Sequence, residues 1–474
     1  MRTPLPLLGG RHVDRVAQVN NERSVNWYAE QEPGAAKSLV TMKPTPGLVR
    51  VGAAGNGPCR SHRVTFDGKA YWVSGPQLMS QDTSGAITAI GSLNTSSGWC
   101  VLAAGRDYLL VVDGGDGYTW NGVTFATVAD ADFPASPSWC AYMDGYFIVN
   151  DDDTDRFHIS DLPGGAENPT SWTALNFATA EADPDDAVAV IATYETVYLV
   201  GTRTTQLYYN SGNSDFPFTL HTNGIMEWGT DAPASIAEAE GTLFMLARTT
   251  AGGLAVLMVQ RFQARPIASD DLLYTFDRYT TTSDAEGYAY RMGGQTFYVL
   301  TFPSEDVTFV YHVETGLWHE RQSDGLGRHR SRGHGFFNGR HYVGDYETGE
   351  YYYLSPTTYA DNGATVIRKR ITSIVHRDRR DLEVNEFEVE FAPGVGLTSG
   401  QGSDPQAVLR YSVDGGKTWS SEMWQPIGAI GDYTRRAVWR QLGQGRQFTF
   451  EITVSDPVEA VIVAVYADIV PLAA

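Results

Sequence analysis

Between Phe66 and Tyr353 one short pattern recurs seven times: a polar-then-apolar run, a tight turn, then an aromatic-rich run. The turns centre on Gly68, Gly105, Gly145, Glu195, Gly241, Gly294 and Gly339, with 37 to 53 residues between successive centres. Apolar runs of four to six residues bounded by Gly, Asp or Asn read as strands, as in Leu109-Leu110-Val111-Val112 and Val197-Tyr198-Leu199-Val200. Several short strands repeated at a period of 40–50 predict the blades of a β-propeller. Unit four departs from the pattern, carrying Tyr194-Glu195 where the other turns carry Gly.

The pattern changes on either side of these units. Residues 1–60 have little periodicity and many turn formers, ending in Lys43-Pro44-Thr45-Pro46-Gly47-Leu48, and predict an arm with one or two strands packed on the propeller. Residues 61–360 form the propeller. From 361 to 474 basic clusters (Arg368-Lys369-Arg370 and Arg377 to Arg380) give way to alternating runs such as Glu386-Phe387-Glu388-Val389-Glu390-Phe391. Such alternation marks strands buried on one side, and the segment predicts a C-terminal β-sandwich. Helical signal is thin: Ala232 to Glu240 is Ala- and Glu-rich but short, and its position suits the first strand of a blade. The fold class is therefore all-β: a seven-bladed propeller with an N-terminal arm and a C-terminal sandwich.

Composition narrows the function. The chain carries 56 acids against 35 bases, a formal charge of −21, so it is not built to grip nucleic acid through phosphates. An anionic surface keeps a protein soluble, and it would let a duplex slide past without sticking. Three cysteines, Cys59, Cys100 and Cys140, do not make a disulfide framework, and they sit in apolar runs as small hydrophobes. This usage suits a reducing cytoplasm. The first ten residues lack the apolar stretch of a secretory signal, and no apolar run is long enough for a helical membrane anchor.

Candidate chemistry is sparse. Ser412-Val413-Asp414-Gly415-Gly416-Lys417-Thr418-Trp419 fits an Asp-box hairpin: Asp414 bonds turn amides, Gly416 supplies positive φ and Trp419 packs beneath. Ser412, Asp414, Gly416, Thr418 and Trp419 are therefore structural residues. Gly415 to Thr418 imitate the end of a phosphate-binding loop, but Tyr411 stands where that loop needs Gly. The acidic run Asp151 to Asp155 lacks the Gly and Glu of a calcium loop, Arg156 and Leu162 standing in their places, and reads as solvated. Arg328, Arg330 and Arg332 form a basic loop suited to an acidic partner surface or to DNA phosphates; that charge also discourages a metal at His329 or His334. No nucleophile elbow or Cys–His pair is present, so no catalytic, cofactor or metal residues are assigned.

Four stretches together carry a family resemblance. They are Gln18-Val19-Asn20 leading to Val25-Asn26-Trp27-Tyr28-Ala29-Glu30 and then Pro44-Thr45-Pro46-Gly47-Leu48; Gly201 to Gly212 running into Asp215-Phe216-Pro217-Phe218; Phe297 to Pro303 followed by Val310 to Arg321; and Tyr411 to Trp419 with Trp439 to Gly443. In this order and spacing they resemble the packaged-DNA stabilisation proteins of short-tailed bacteriophages, also called tail hub or nozzle proteins. Gln206 and His312 stand where that family commonly has acids. The resemblance implies a non-enzymatic virion protein of the tail, assembled in the bacterial cytoplasm. It would form a homo-hexameric ring on the head-to-tail adaptor, with tail needle and tailspike as possible neighbours. Double-stranded DNA would pass through the lumen without sequence-specific binding. The alternative reading is a glycan-binding or sialidase-like propeller of a phage tail. That reading requires several Asp-boxes, and one is found.

Overall fold

The computed structural model describes residues 3–5, 9–15, 20–32, 34, 38–53, 55–180, 185–377 and 380–472. Gln18 and Val19 of the first family-like stretch, and two residues of the Arg377–Arg380 cluster, lie outside them. Seven antiparallel sheets stand round one axis. Their first strands are Val64–Phe66, Val101–Ala104, Cys140–Met143, Ala187–Thr193, Ala237–Ala239, Glu286–Met292 and Ser331–Phe337, each paired to the next strand in sequence. The second strand Leu109–Val112 is buried at every position, and the other second strands at all but their ends, because blades pack against both of their faces. The outer strands Phe125–Thr127 and Trp172–Thr179 expose residues instead.

All seven recurrent turns join a first strand to a second. In six of them φ is positive at both central residues, as at Asp67 and Gly68 (46° and 78°) and at Asn338 and Gly339 (46° and 74°). Those signs are the type I′ pattern, whose twist matches the strands it joins. Unit four keeps the geometry without glycine, with φ of 47° at Tyr194 and 58° at Glu195. The turn at Gly105 is the exception. Its amides at Arg106 and Tyr108 donate to the buried Glu167 carboxylate at 3.0 Å each, so a side chain from blade 3 shapes a turn of blade 2.

Residues before 60 contribute six strands, more than the one or two expected, and they are shared among the parts of the molecule. Gly47–Ala53 is the outer strand of blade 7, antiparallel to Glu350–Ser355, and closes the ring. Asn21–Val25 lies between the outer strand of blade 6 and Arg368–Ile371 of the C-terminal part. Trp27–Gln31 and Val40–Pro44 pair with each other and join the C-terminal sheet through Met42. The sandwich core lies between two sheets, with Phe387 stacked on Phe450 at 4.2 Å and Trp27 Nε1 donating to the Ala460 carbonyl at 2.8 Å. In Leu382–Phe391 the buried positions shift phase between Val384 and Phe387, where the pairing with Ile462–Pro471 carries a bulge. Ala237–Ala239 is the first strand of blade 5, as its position suggested, while Asp270–Phe276 is an α-helix of two turns not read from the sequence.

Candidate functional site

The Asp-box segment caps the turn between Gln406–Ser412 and Met423–Pro426. Asp414 Oδ1 accepts from the amides of Lys417 and Thr418 at 2.9 Å, and Oδ2 from the Thr418 hydroxyl at 2.7 Å. The buried Ser412 hydroxyl donates to Asp414 Oδ1 at 2.7 Å and accepts from the Gly416 amide at 2.8 Å. These donors, the Thr418 amide foremost, hold the Asp414 carboxyl well below the usual carboxylate range. Gly416 has φ 93°, and Trp419 is half-buried near it with the Arg410 guanidinium 5.5 Å from its ring. The polar side chains of Ser412, Asp414 and Thr418 are engaged inside the motif, and the Gly415 amide donates to the Gln447 carbonyl at 3.1 Å.

The arginine segment differs from the exposed loop expected of it. Arg332 lies within the first strand of blade 7 and makes a two-pronged pair with Glu286, one bond at 2.8 Å. Arg330 Nε is 3.6 Å from the fully buried Asp345 carboxylate. Arg328 lies 3.4 Å from the Tyr346 ring centroid and 3.9 Å from Asp306. His329 between them is buried, its Nε2 3.5 Å from Asp361. Burial lowers its pKa to about 4 and keeps the ring neutral near pH 7.

Three further features escaped the sequence reading. First, a buried ion network ties the N-terminal segment to blade 6: Arg11 bonds Asp271 and Glu320 at 2.9 Å each, and Arg23 pairs with the same Glu320. Second, Arg368 and Arg370 of the basic cluster face inward. Arg368 donates to the carbonyls of Asp456 and Tyr359 at 2.9 and 3.0 Å, and Arg370 meets Glu22 and the Gly10 carbonyl. Third, blades 1 and 7 meet through a cation in an aromatic box. The Arg63 guanidinium lies 3.7, 4.4 and 5.1 Å from the ring centroids of Trp72, Tyr351 and Tyr342. Burial lowers its pKa to about 10, which leaves it charged at neutral pH. Alternation alone cannot announce these contacts, since most of them join residues far apart in sequence.

On the propeller axis lies a cavity of about 560 Å³ lined from all seven blades. Its wall is largely apolar, with Trp99, Trp139, Ile191 and Ala237 beside His62 and His334. His334 Nε2 is 3.0 Å from His341 Nδ1, and its ring stacks on Tyr288. Cys100 and Cys140 reach this wall as buried free thiols, and burial raises both pKa values, that of Cys100 to about 12. Among the described residues no three His, Cys, Asp or Glu side chains converge as a metal site, and no helix is long and apolar enough to cross a membrane.

Solved structures similar to the chain include the Neurospora crassa Pan2 WD40 domain, a streptogramin B lyase and the virginiamycin B lyase of Staphylococcus aureus. Their identities are 9, 11 and 10% and their TM-scores 0.42, 0.42 and 0.44. They cover 66, 72 and 65% of this chain and 94, 99 and 98% of their own. No curated protein matches it in sequence. Two family models do: the β-propeller of bacteriophage P22 Gp10 over residues 3–359, and the β-sandwich of the same protein over residues 367–470. With both parts matched in order over nearly the whole length, the chain belongs to the bacteriophage P22 Gp10 family of tail hub and DNA-stabilisation proteins.

Proposed function

We propose that this protein is a nozzle subunit of a short phage tail: copies form a ring that extends the portal–adaptor channel and helps retain the packaged genome. The observation that carries the reading is the match to both parts of the P22 Gp10 family. The internal engagement of candidate polar groups supports a mechanical role. The Asp-box satisfies its own turn, and the arginines at 328, 330 and 332 neutralise carboxylates of blades 6 and 7. In this reading the chain is not an enzyme, the ring has six copies, and its neighbours are the head-to-tail adaptor and, where present, needle and tailspike. The ring is assembled in the host cytoplasm and resides in the virion tail. The formal charge of −21 favours passage of a duplex without sequence-specific contact. Native mass spectrometry of the purified chain with its adaptor tests this: six copies on the adaptor ring are expected, and a chain that stays monomeric beside it would count against the reading.

A further inference from the structure

The net charge is distributed very unevenly around the propeller. Blades 1 to 4, residues 64–226, contain twenty acids and four bases, a net of −16 out of −21. Three of those bases already lie on neighbouring acids: Lys69 is 3.9 Å from Asp67, Arg106 2.8 Å from Asp107, and Arg156 4.0 Å from Asp155. Residues 227–359, which hold blades 5 to 7, carry ten arginines against seventeen acids, and residues 1–63 are net positive.

The fold divides along a neighbouring line, one blade further on. Blade 6 is edged by Asn21–Val25 and blade 7 by Gly47–Ala53 and then Ala360–Asp361, so the chain itself covers those two blades, while the outer strand Gln263–Pro266 of blade 5 has no further strand beside it among the described residues. The outer strands of blades 1 to 4 have no further strand beside them among the described residues. Of the five blades left bare, blades 1 to 4 have almost no free positive charge, whereas blade 5 exposes Arg261 and Arg265. Several carboxylates of blades 1 to 4 stand exposed on loops at both ends of the blades, among them Asp107, Asp186, Glu195 and Asp215.

We infer that the bare half-disc of blades 1 to 4 is the surface each subunit turns toward the passing duplex. The inference rests on the nozzle reading and adds an orientation to it. A duplex carries one phosphate charge per ~1.7 Å of axis, and a wall of like sign releases no counterions from it. Such a wall keeps the duplex away over roughly the ~8 Å reach of charge at physiological salt, so the DNA neither adheres nor stalls. Six of the ten arginines in the other part are buried or paired with carboxylates, but Arg261, Arg265, Arg278 and Arg340 are exposed and would offer phosphates points of attachment. The competing occupant of the acidic half is a basic protein surface of the tail, which this charge would attract.

The test is ejection from intact particles carrying Asp107→Lys, Asp186→Lys, Glu195→Lys and Asp215→Lys together. The control particles carry Asp277→Lys, Asp324→Lys, Glu347→Lys and Glu422→Lys, which make the same charge change at exposed positions elsewhere. Tails of both are first checked for a complete ring by electron microscopy. At about 50 mM salt the first set should slow genome release tenfold or more, recovering toward the wild-type rate by about 200 mM, since phosphate contacts weaken steeply over that range. The control set should release at the wild-type rate. Equal slowing by both sets, or no slowing by the first in complete rings, would overturn the orientation. Failure of the first set alone to form rings would also overturn it, marking the acidic half as a protein contact. Wild-type particles with no such ring on the DNA channel would sink the nozzle reading itself, a distinguishable result.

Discussion

The guanidinium of Arg63 sits 4.4 Å from the ring centroid of Tyr351, and through that contact the first blade is joined to the seventh. A propeller has one seam where the chain's two ends must meet, and here a buried cation among Trp72, Tyr342 and Tyr351 fills it. Arg63→Ala removes both the cation–π contacts and the volume, and should cost about 2–4 kcal/mol in chemical denaturation. Arg63→Met keeps the volume and should cost less, because Nε and Nη2 of the arginine have no protein partner.

The second half of the closure is the strand Gly47–Ala53. Leu48 is fully buried with Val343, Tyr352 and Leu354 of blade 7. Leu48→Ala should lower stability by about 2–4 kcal/mol. At Gly47 any Cβ would meet the carbonyl oxygens of Thr358 and Ala360 at 2.4 and 2.5 Å. Gly47→Ala should therefore loosen the same seam, and limited proteolysis should cut both variants first within the N-terminal 60 residues.

Glu195 offers a gain. It holds φ 58° beside Tyr194 at 47°, a turn that favours glycine. Glu195→Gly should raise stability by about 0.5–1 kcal/mol, read as a higher melting temperature. A loss would mean that Glu195 makes a contact of its own.

Acid should weaken the fold in a defined window. Burial depresses His62 and His329 to about 4, and His319 and His334 well below their ordinary 6.5. The unfolded chain then binds more protons than the folded one below pH 6.5, so stability rises with pH from about 4 to 6.5. For His329 the difference between 6.5 and about 4 amounts to ~3 kcal/mol. Denaturation of His329→Gln should show a flatter pH profile across that window, and an unchanged slope would contradict the assignment.

The Asp-box should fail as a unit. Ser412→Ala removes one donor and one acceptor from a buried turn and should cost about 1–3 kcal/mol. Asp414 is held below the usual carboxylate range, so its stabilisation is present above about pH 4 and lost as pH falls further. Asp414→Asn should remove that acid dependence while releasing no glycan-related activity.

The blades were readable because their signal is local: a turn at a fixed place between two apolar runs repeats whatever surrounds it. Even Tyr194-Glu195 kept its register without glycine. The closure was not readable, because Leu48 finds Leu354 across some three hundred residues and nothing near Gly47 announces that partner. The basic segments misled for a related reason. Charge composition suggests surface, yet Arg332 and Arg370 lie against Glu286 and Glu22, acids supplied by distant parts of the chain. The Asp-box was legible in detail because its side-chain bonds fall within seven residues.

Cryo-electron microscopy of the particle's tail tests the central claim most directly. The account predicts a closed ring of six copies coaxial with the DNA channel, next to the adaptor, each propeller sealed by its own residues 47–53. Isolated copies on the tail periphery, with no density for this chain around the channel, would contradict it.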